Sequence, residues 1–431
     1  HAATPDPLWS RGLGDVYKRQ LYILWRIYSA VGENSNIPLI TKGNLEENIM
    51  NKFFMAIAVA VATMFVWSGI SFADGHCDKY ANLKGKAWVD GDCMETPLGE
   101  KWWPNPLWGA DDQAGSTNWY KKPEVVKRAL AMVKEGQTLQ LGHPYTADQP
   151  MFGARKFVLR IPGAPTGGAF GPNKIMWNDE FLATEIGQAG TQFDGLGHIG
   201  VQVGADGDKT EMRWYNGITV QEMNGAYGLA KLGTEHLNPI VARGILIDAA
   251  AVRGVEAMEA GDVITMADVK KALEMQGMSD YKMMPGDAIL FHTGWDQYWV
   301  VDNAKYNSGC PGIGMEVARW IAGGQAGVTG FDTWPGDAIP NPDPDCVFCV
   351  HQYLQTRHGI INQENLNTGK LVDAGVYEFA YIYNPVPIVG ATGSIGHPTA
   401  MSVSYTHLRA HETREDVGLR RLHEKKKGGG G

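Results

Sequence analysis

The chain has little cysteine, no excess of basic residues and no apolar run long enough to cross a bilayer. Its 431 residues include 5 cysteines and 38 lysines and arginines against 47 aspartates and glutamates, for a formal net charge of −9. This charge argues against a general nucleic-acid binder, which needs a basic face. A hydrophobic content of 44% and an aromatic content of 10% exclude a disordered, collagen-like or coiled-coil chain.

The motifs of several enzyme classes are also missing. The sequence has no P-loop, no Gly-x-Ser-x-Gly segment and no internal repeat. It therefore lacks the marks of a P-loop NTPase, of an α/β-hydrolase and of a repeat protein. The 54 glycines and 22 prolines are spread along the chain and predict a loop-rich α/β or β fold.

The cysteines indicate a structural use. Cys346 and Cys349 form a C-x-x-C pair, but a zinc knuckle needs a second such pair and the chain has none. A thioredoxin-type pair would stand at the start of a helix, whereas residues 342–345 read Pro-Asp-Pro-Asp and predict a loop. A disulfide between Cys77 and Cys93 would stabilise the N-terminal part. Because the number of cysteines is odd, one thiol stays unpaired, and the pairing stays open.

Residues 50–73 have the layout of a secretory signal peptide. Met50 and Lys52 precede an apolar stretch at 53–67, and small residues suit cleavage after Ala73. The apolar stretch is shorter than the roughly 20 residues of a membrane span, so we expect no stable membrane anchor. The chain is therefore expected to be periplasmic or secreted.

Both ends of the sequence are expected to be non-native. Residues 1–49 and 403–431 resemble translated adapter read-through, so they carry no weight in the fold prediction. Residues 74–136 are predicted to form an aromatic arm and a helix. A catalytic domain is predicted over 137–402.

Short strands and a few helices alternate from residue 123 onward. Pro123 suits the first turn of a helix that Gly136 ends, and Thr265 is a suitable N-cap for a helix that Gly277 ends. The other predicted elements are a helix at 315–322 and strands at 288–291, 328–331, 377–383 and 386–389, the last two paired. Strands interleaved with few helices favour a single mixed α/β domain.

The densest polar cluster lies at 188–198. In an extended strand the side chains alternate between two faces, so Gln188, Gln192 and Asp194 would share one face. The glycines at 195 and 197 permit a turn that folds His198 back over that face. A carboxylate, an imidazole and two amides would then converge on a volume suited to a ligand. The same pattern is equally typical of a polar strand edge with a surface histidine.

This segment resembles the signature of the cyclase family, which contains bacterial kynurenine formamidases and isatin hydrolases. That signature reads His-x-Gly-Thr-His-x-Asp-x-Pro-x-His. The retained positions are Gly190, Thr191, Asp194 and His198. The departures are Gln188 and Gln192, where the family has histidine, and Leu196, where it has proline.

The resemblance continues, in order, over residues 137–402. The other matching segments are 141–144 with Pro150, 288–295, 311–313 with Glu316, 330–333, 351–366 and 390–394. It implies the fold of the family, a kynurenine formamidase-like mixed β-sheet or barrel with flanking helices. It also suggests a homodimer or a larger assembly.

The resemblance further implies a divalent-metal hydrolase. Carried over by position, the metal ligands are Asp194, His198, His351 and Glu364, with Gln192 at a fifth position. The ion would act as a Lewis acid, with His198 or Glu364 as the general base. Zinc favours nitrogen and sulfur ligands, whereas Mn²⁺ tolerates oxygen-rich sites. The two amides therefore leave three alternatives: a harder ion (Mn²⁺ or Mg²⁺), weak binding, or no binding. The expected cofactor is a divalent metal, Mn²⁺ or Zn²⁺.

The family default is hydrolysis of a cyclic or N-acyl amide, with arylformamidase activity (N-formylkynurenine to kynurenine, in tryptophan catabolism) as the standard case. Expected substrate contacts are Gln188, Gln192, Trp214, Tyr215 and His292, although the last three suit core packing equally well. Two alternatives remain open. One is a lactonase, cyclase or dehydratase using the same site, and the other is a non-catalytic periplasmic protein that binds a small molecule.

Overall fold

The computed structural model describes residues 102–134, 136–203 and 208–402. The predicted read-through segments, the predicted signal peptide, Cys77 and Cys93 lie outside these residues. Within the described ranges, no helix has both the length and the apolar character that a membrane span requires.

Short strands dominate the described residues. In chain order they are β1 Thr138–Gln140, β2 Phe157–Arg160, β3 Gly167–Phe170, β4 Ile175–Trp177, β5 Phe181–Thr184, β6 Gln192–Asp194, β7 Val201–Gln202, β8 Met212–Arg213, β9 Asn224–Gly225, β10 Gly228–Leu229, β11 Ile240–Asp248, β12 Val263–Ile264, β13 Ala288–His292, β14 Gly312–Ile313, β15 Val328–Phe331, β16 Ile361–Glu364, β17 Glu378–Tyr383, β18 Gly393–Ile395 and β19 Thr399–Ser402.

The helices are short and most of them connect strands. The α-helices are α1 Pro123–Leu130, α2 Val220–Met223, α3 Ala249–Arg253, α4 Met266–Met275, α5 Asn303–Asn307, α6 Met315–Gly323, α7 Cys349–His351 and α8 Gly369–Asp373. A π-helical segment, Gln352–Arg357, continues α7. Single 3₁₀ turns lie at Gly115–Lys121, Lys209–Glu211, Tyr215–Gly217, Thr234–His236 and Trp295–Tyr298.

One large sheet organises the molecule. Its nine strands curl into a half-barrel in the order β1-β19-β17-β11-β13-β15-β16-β6-β18. The central strands β11, β13, β15 and β16 are parallel, while their neighbours β17 and β6 run antiparallel to them. The carboxyl ends of the four parallel strands therefore meet at one edge of the sheet. This architecture confirms the predicted mixed α/β fold with flanking helices.

The two faces of the central strands carry separate apolar cores. Successive residues of a strand point to opposite faces, so Phe291 lies in one core and Leu290 in the other. Helices α4 and α6 cover the first face through Val269 and Val317, and α1 packs on the second through Val125. Burial on both faces explains why these strands read as continuous apolar runs.

Local signals predicted some element boundaries and missed others. Thr265 caps α4 through a capping box with Asp268, as predicted. The first helix was predicted to reach Gly136 but stops at Leu130, which is already 51% exposed, so further turns would have no core to bury against.

The predicted strand at 386–389 is wrong. Pro385 and Pro387 remove backbone N–H donors from this segment, and a central strand needs those donors for its ladder. Instead, β17 pairs with β11 on one side and with β19 on the other.

Three cysteines lie in the described part, and their C-x-x-C pair stands at the start of a helix rather than in a loop alone, because Cys349 begins α7. Cys346 and Cys349 form a disulfide, and Cys310 is a free, buried thiol. The disulfide closes the loop directly before α7, the short helix that carries His351.

Candidate metal centre

Two neighbouring strands place acidic and amide side chains on the same face. In β6 and β16, which pair antiparallel, Asp194 lies opposite Asn362 and Gln192 lies opposite Glu364. Residues two apart share a face of a strand, so these four side chains project to one side of the sheet. The predicted strand from 188 is shorter than expected, since only Gln192–Asp194 is extended.

A histidine from α7 joins the two acids, Asp194 and Glu364. His351 Nε2 lies 2.9 Å from Glu364 Oε1 and 3.6 Å from Asp194 Oδ2. One potential ligand atom from each of these residues lies within 4.8 Å of the other two, and all three residues are buried. We call Asp194, His351 and Glu364 the triad.

Asp337 fixes the orientation of the triad imidazole. Its Oδ2 lies 2.7 Å from His351 Nδ1, and its Oδ1 accepts the backbone N–H of Val350 at 2.8 Å. A carboxylate on Nδ1 directs the other ring nitrogen, Nε2, toward the acids of the triad, an arrangement common behind metal-binding histidines. Sequence analysis missed Asp337, whose only signal is a single acid beside apolar Ala338 and Ile339.

The two glutamines are hydrogen-bond donors to the triad. Gln192 Nε2 donates to Glu364 Oε2 at 2.8 Å, and Gln188 Nε2 donates to Asp194 Oδ1 at 2.7 Å. Asn362 Nδ2 donates to the other oxygen of Glu364 at 2.9 Å. Asp194 Oδ2, in contrast, is buried without a hydrogen-bond partner among the described residues.

Asp194 Oδ2, which accepts no hydrogen bond, indicates whether these residues fit a metal ion. An unpaired buried carboxylate oxygen is costly in a protein, and a cation is one way to satisfy it. Asp194 Oδ2, His351 Nε2 and Glu364 Oε1 supply two anionic oxygens and one imidazole nitrogen, a set that suits Mn²⁺. The triad therefore fits a single divalent ion.

The pKa values in the triad show how strongly its groups interact. Burial lowers the pKa of His351, but the nearby carboxylates of Asp194, Asp337 and Glu364 outweigh it, so this pKa lies well above its ordinary value. Burial, together with the charge of Asp194, raises the pKa of Glu364 to about 8. The protein alone therefore holds a proton within the triad near neutral pH, and metal binding there would release it.

His198 lies on the outer side of Asp194. Its backbone N–H donates to Gly195 O at 3.0 Å, which is the turn that the glycines predicted. Its Nε2 lies 3.9 Å from Asp194 Oδ1, and 23% of its side chain is exposed. Burial lowers the pKa of His198 despite the charge of Asp194, which favours the neutral imidazole.

Three of the predicted substrate contacts interact with residues outside the triad. Tyr215 is fully buried and donates its hydroxyl to Asp112 Oδ2 at 2.9 Å, and Trp214 packs against the same core. His292 lies at the end of β13, where its Nδ1 is 2.7 Å from Thr368 Oγ1. Gln188 and Gln192, by contrast, touch the triad directly.

His292 belongs to a second buried cluster on the same sheet edge. Its Nδ1 lies 3.3 Å from Asp332 Oδ2, and Asp296 completes a second possible metal-binding group. Both oxygens of Asp332 are already occupied, because Thr293 and Gly294 donate three hydrogen bonds to them at 2.7–2.9 Å. We call His292, Asp296 and Asp332 the second cluster.

The fold and the triad together define an α/β protein with a buried carboxylate–imidazole centre at the edge of a parallel sheet. The Cyclase family model matches residues 139–338. The crystal structure of a novel cyclase is 28% identical, with a TM-score of 0.58, over 68% of this chain and 96% of that one. Over residues 139–338 the chain is therefore similar to the cyclase family.

Other solved structures are more distant. Isatin hydrolase A from Ralstonia solanacearum is 17% identical with a TM-score of 0.44, over 62% of this chain and 92% of that one. Isatin hydrolase A from Labrenzia aggregata, bound to benzyl benzoate, is 16% identical with a TM-score of 0.44, over 62% and 94%. No curated protein matches the chain.

Proposed function

We propose that this protein is a metal-dependent hydrolase of a cyclic or N-acyl amide. The observation that carries the proposal is the buried Oδ2 of Asp194, which accepts no hydrogen bond and faces the imidazole nitrogen of His351 beside Glu364. The match to the Cyclase family model supports it, because Asp194 lies within the matched residues 139–338. Arylformamidase activity, the hydrolysis of N-formylkynurenine to kynurenine, is the first specific activity that we propose.

Each residue of the site has a separate proposed role in hydrolysis. A divalent ion held by Asp194, His351 and Glu364 would supply Lewis acidity toward the carbonyl oxygen and a water molecule of lowered pKa. Asp337 holds His351 with Nε2 directed inward. His198, neutral and partly exposed beside Asp194, is placed to accept a proton from the attacking water.

The predicted export of the chain bears on the substrate. Tryptophan breakdown is usually a cytoplasmic task, so a periplasmic or secreted enzyme would meet amides or lactones from the surroundings instead. We therefore propose testing N-formylkynurenine, isatin-like lactams and aromatic lactones side by side. Turnover of lactones alone would favour the lactonase alternative on the same site.

The test uses the full chain with Mn²⁺ or Zn²⁺ added and the three substrate classes. Asp194→Asn keeps the size of the side chain but removes its charge, so we expect turnover to fall below detection. Asp280→Asn, the same change on an exposed aspartate, is the matched control and should leave turnover unchanged. Unchanged turnover in Asp194→Asn would show that the triad is not the active site.

A non-catalytic binding protein is the second candidate, and one observation favours it. Gln188 and Gln192 direct amide N–H groups at the triad carboxylates, so the protein itself supplies part of what a cation would supply. This candidate predicts that a small ligand binds to the chain in the presence of chelator and that no substrate is turned over. Metal-dependent turnover would exclude it.

A further inference from the structure

A series of aromatic side chains leads from the protein surface to the triad. Phe152 is 43% exposed and stacks on Trp334, with the ring centroids 4.5 Å apart. The ring centroids of Trp334 and Phe348 are 6.2 Å apart, and those of Phe348 and His351 are 6.0 Å apart. We call Phe152, Trp334 and Phe348 the aromatic path. A ligand that follows it toward His351 meets flat apolar surface, which suits an aromatic molecule.

Arg155 lies beside the exposed end of this path. Its guanidinium carbon is 5.6 Å from the centre of the Phe152 ring, and the residue is half-buried. Among the described residues, no carboxylate forms an ion pair with Arg155 and no group accepts a hydrogen bond from it. A guanidinium carries several N–H donors in one plane, and its contact with a ring face uses none of them. Arg155 therefore has its donors available for a ligand.

The charge of Arg155 also acts on the candidate metal centre. His198 Nε2 lies 3.9 Å from Asp194 Oδ1. Burial is the main cause that lowers the pKa of His198, and the charges of His351 and Arg155 lower it further. In solution such an effect fades beyond about 10 Å. Arg155 is thus close both to the aromatic path and to the outer side of the triad.

Glu185 is an alternative partner for Arg155, but it is already bonded elsewhere. Its Oε2 accepts the backbone N–H of Lys156 at 2.7 Å. That hydrogen bond is the largest cause that lowers the pKa of Glu185, and the charge of Arg155 contributes less. Because Glu185 is exposed, its attraction to Arg155 is screened by water and worth little. A ligand does not have to displace it.

A second donor lies on the aromatic path itself. Trp334 Nε1 is buried without a hydrogen-bond partner among the described residues. An indole N–H can only donate, so a ligand that satisfies it must bring an acceptor. The guanidinium of Arg155 likewise needs acceptors, and its planar donors match the two oxygens of a carboxylate. Both residues therefore favour an aromatic ligand that carries an anionic oxygen group.

From this geometry we propose that Arg155 determines specificity by binding a carboxylate of the substrate, and so selects aromatic amides that carry a carboxylate over neutral ones. This inference rests on the proposed hydrolase function and narrows its substrate class. N-formylkynurenine carries such a carboxylate, whereas isatin and a simple aromatic lactone are neutral. A neutral substrate leaves the guanidinium without its partner.

Steady-state kinetics with the full chain and Mn²⁺ test this specificity. They compare N-formylkynurenine with its primary carboxamide, in which a neutral group of the same size replaces the carboxylate. The ratio of the two kcat/KM values should be about 10–100 in the unaltered chain and about one in Arg155→Gln. Arg155→Lys keeps the charge but not the planar donors, so it should retain part of the preference. The matched control is Arg319→Gln, on an exposed arginine of α6, and should keep the full ratio.

Binding of the products separates this inference from the proposed function, because it needs no turnover. Isothermal titration calorimetry of kynurenine and its carboxamide should show the same preference, and the same loss in Arg155→Gln. If neither formyl compound is hydrolysed but the binding preference depends on Arg155, the proposed hydrolysis fails and the carboxylate site stands. Equal binding of both products to the unaltered chain, or a preference that Arg155→Gln retains, would overturn the inference and leave any observed hydrolysis in place.

Discussion

The triad and the second cluster have the same composition and lie on the same edge of one sheet, but they differ in how their carboxylates are satisfied. Each consists of a buried histidine and two acids at or near the ends of neighbouring strands. In the second cluster, Asp332 receives three hydrogen bonds from Thr293 and Gly294, so the protein satisfies its charge alone. In the triad, Asp194 Oδ2 accepts no hydrogen bond from the described residues and faces only the His351 imidazole, at 3.6 Å.

This difference teaches that composition alone does not identify a metal site. A carboxylate whose lone pairs are filled by backbone and hydroxyl donors acts as a structural anchor for the loop that follows β13. A carboxylate that accepts a hydrogen bond on one oxygen and none on the other has an oxygen available to bind a ligand. Although the residue types are the same, we therefore interpret the second cluster as a structural ion pair and the triad as the candidate metal site.

The largest effect should come from removing a triad carboxylate. Glu364→Gln keeps the hydrogen bond from Asn362 but removes the negative charge beside His351. We expect kcat/KM to fall by about 10⁴-fold, as for other essential catalytic groups. Steady-state kinetics check this, and a loss below tenfold would contradict it.

The equivalent change in the second cluster should affect stability instead. Asp332→Asn leaves the buried His292 without its closest carboxylate, and breaking such a pair costs about 3–5 kcal/mol. We expect this loss in urea unfolding, while metal binding per folded chain stays unchanged. A variant that unfolds like the unaltered chain but loses its metal would reverse the roles of the two clusters.

The second cluster should also make stability depend on pH. Burial lowers the pKa of His292, but Asp332, Asp296 and Asp248 outweigh it and raise the pKa from 6.5 to about 9. Protonated His292 therefore stabilises the fold fully below pH 6.5, and this contribution is lost as the pH rises through 9. We expect the free energy of unfolding to fall by about 3 kcal/mol over this range relative to His292→Gln. Parallel pH profiles for both proteins would contradict the prediction.

A smaller effect is expected at Asp337, which acts on the ion only through His351. Asp337→Asn weakens the contact with His351 Nδ1 and should reduce metal affinity by about 10–100-fold. A metal titration measures this, with Asp343→Asn, an exposed aspartate of the same loop region, as the control. Equal affinities in the two variants would show that Asp337 does not position the imidazole.

The sequence predicted features that depend on local or motif signals. Thr265 caps its helix because the signal spans only four residues, and Asp194, His198, His351 and Glu364 were found through the resemblance to a family motif. The inferred extent of the first helix and the strand at 386–389 were wrong, since burial and backbone donors decide both. The contacts of Asp337 with His351 and of Tyr215 with Asp112 join distant segments, and no local pattern records them.

The most direct test of the central claim is a count of metal ions bound per chain, measured by elemental mass spectrometry after the full chain is incubated with Mn²⁺ and excess metal is removed. The account predicts about one ion in the unaltered chain, about one in Asp332→Asn and none in Asp194→Asn. An ion that survives Asp194→Asn and is lost in Asp332→Asn would place the centre in the second cluster, and a chain that binds no Mn²⁺ or Zn²⁺ would contradict a metal centre altogether.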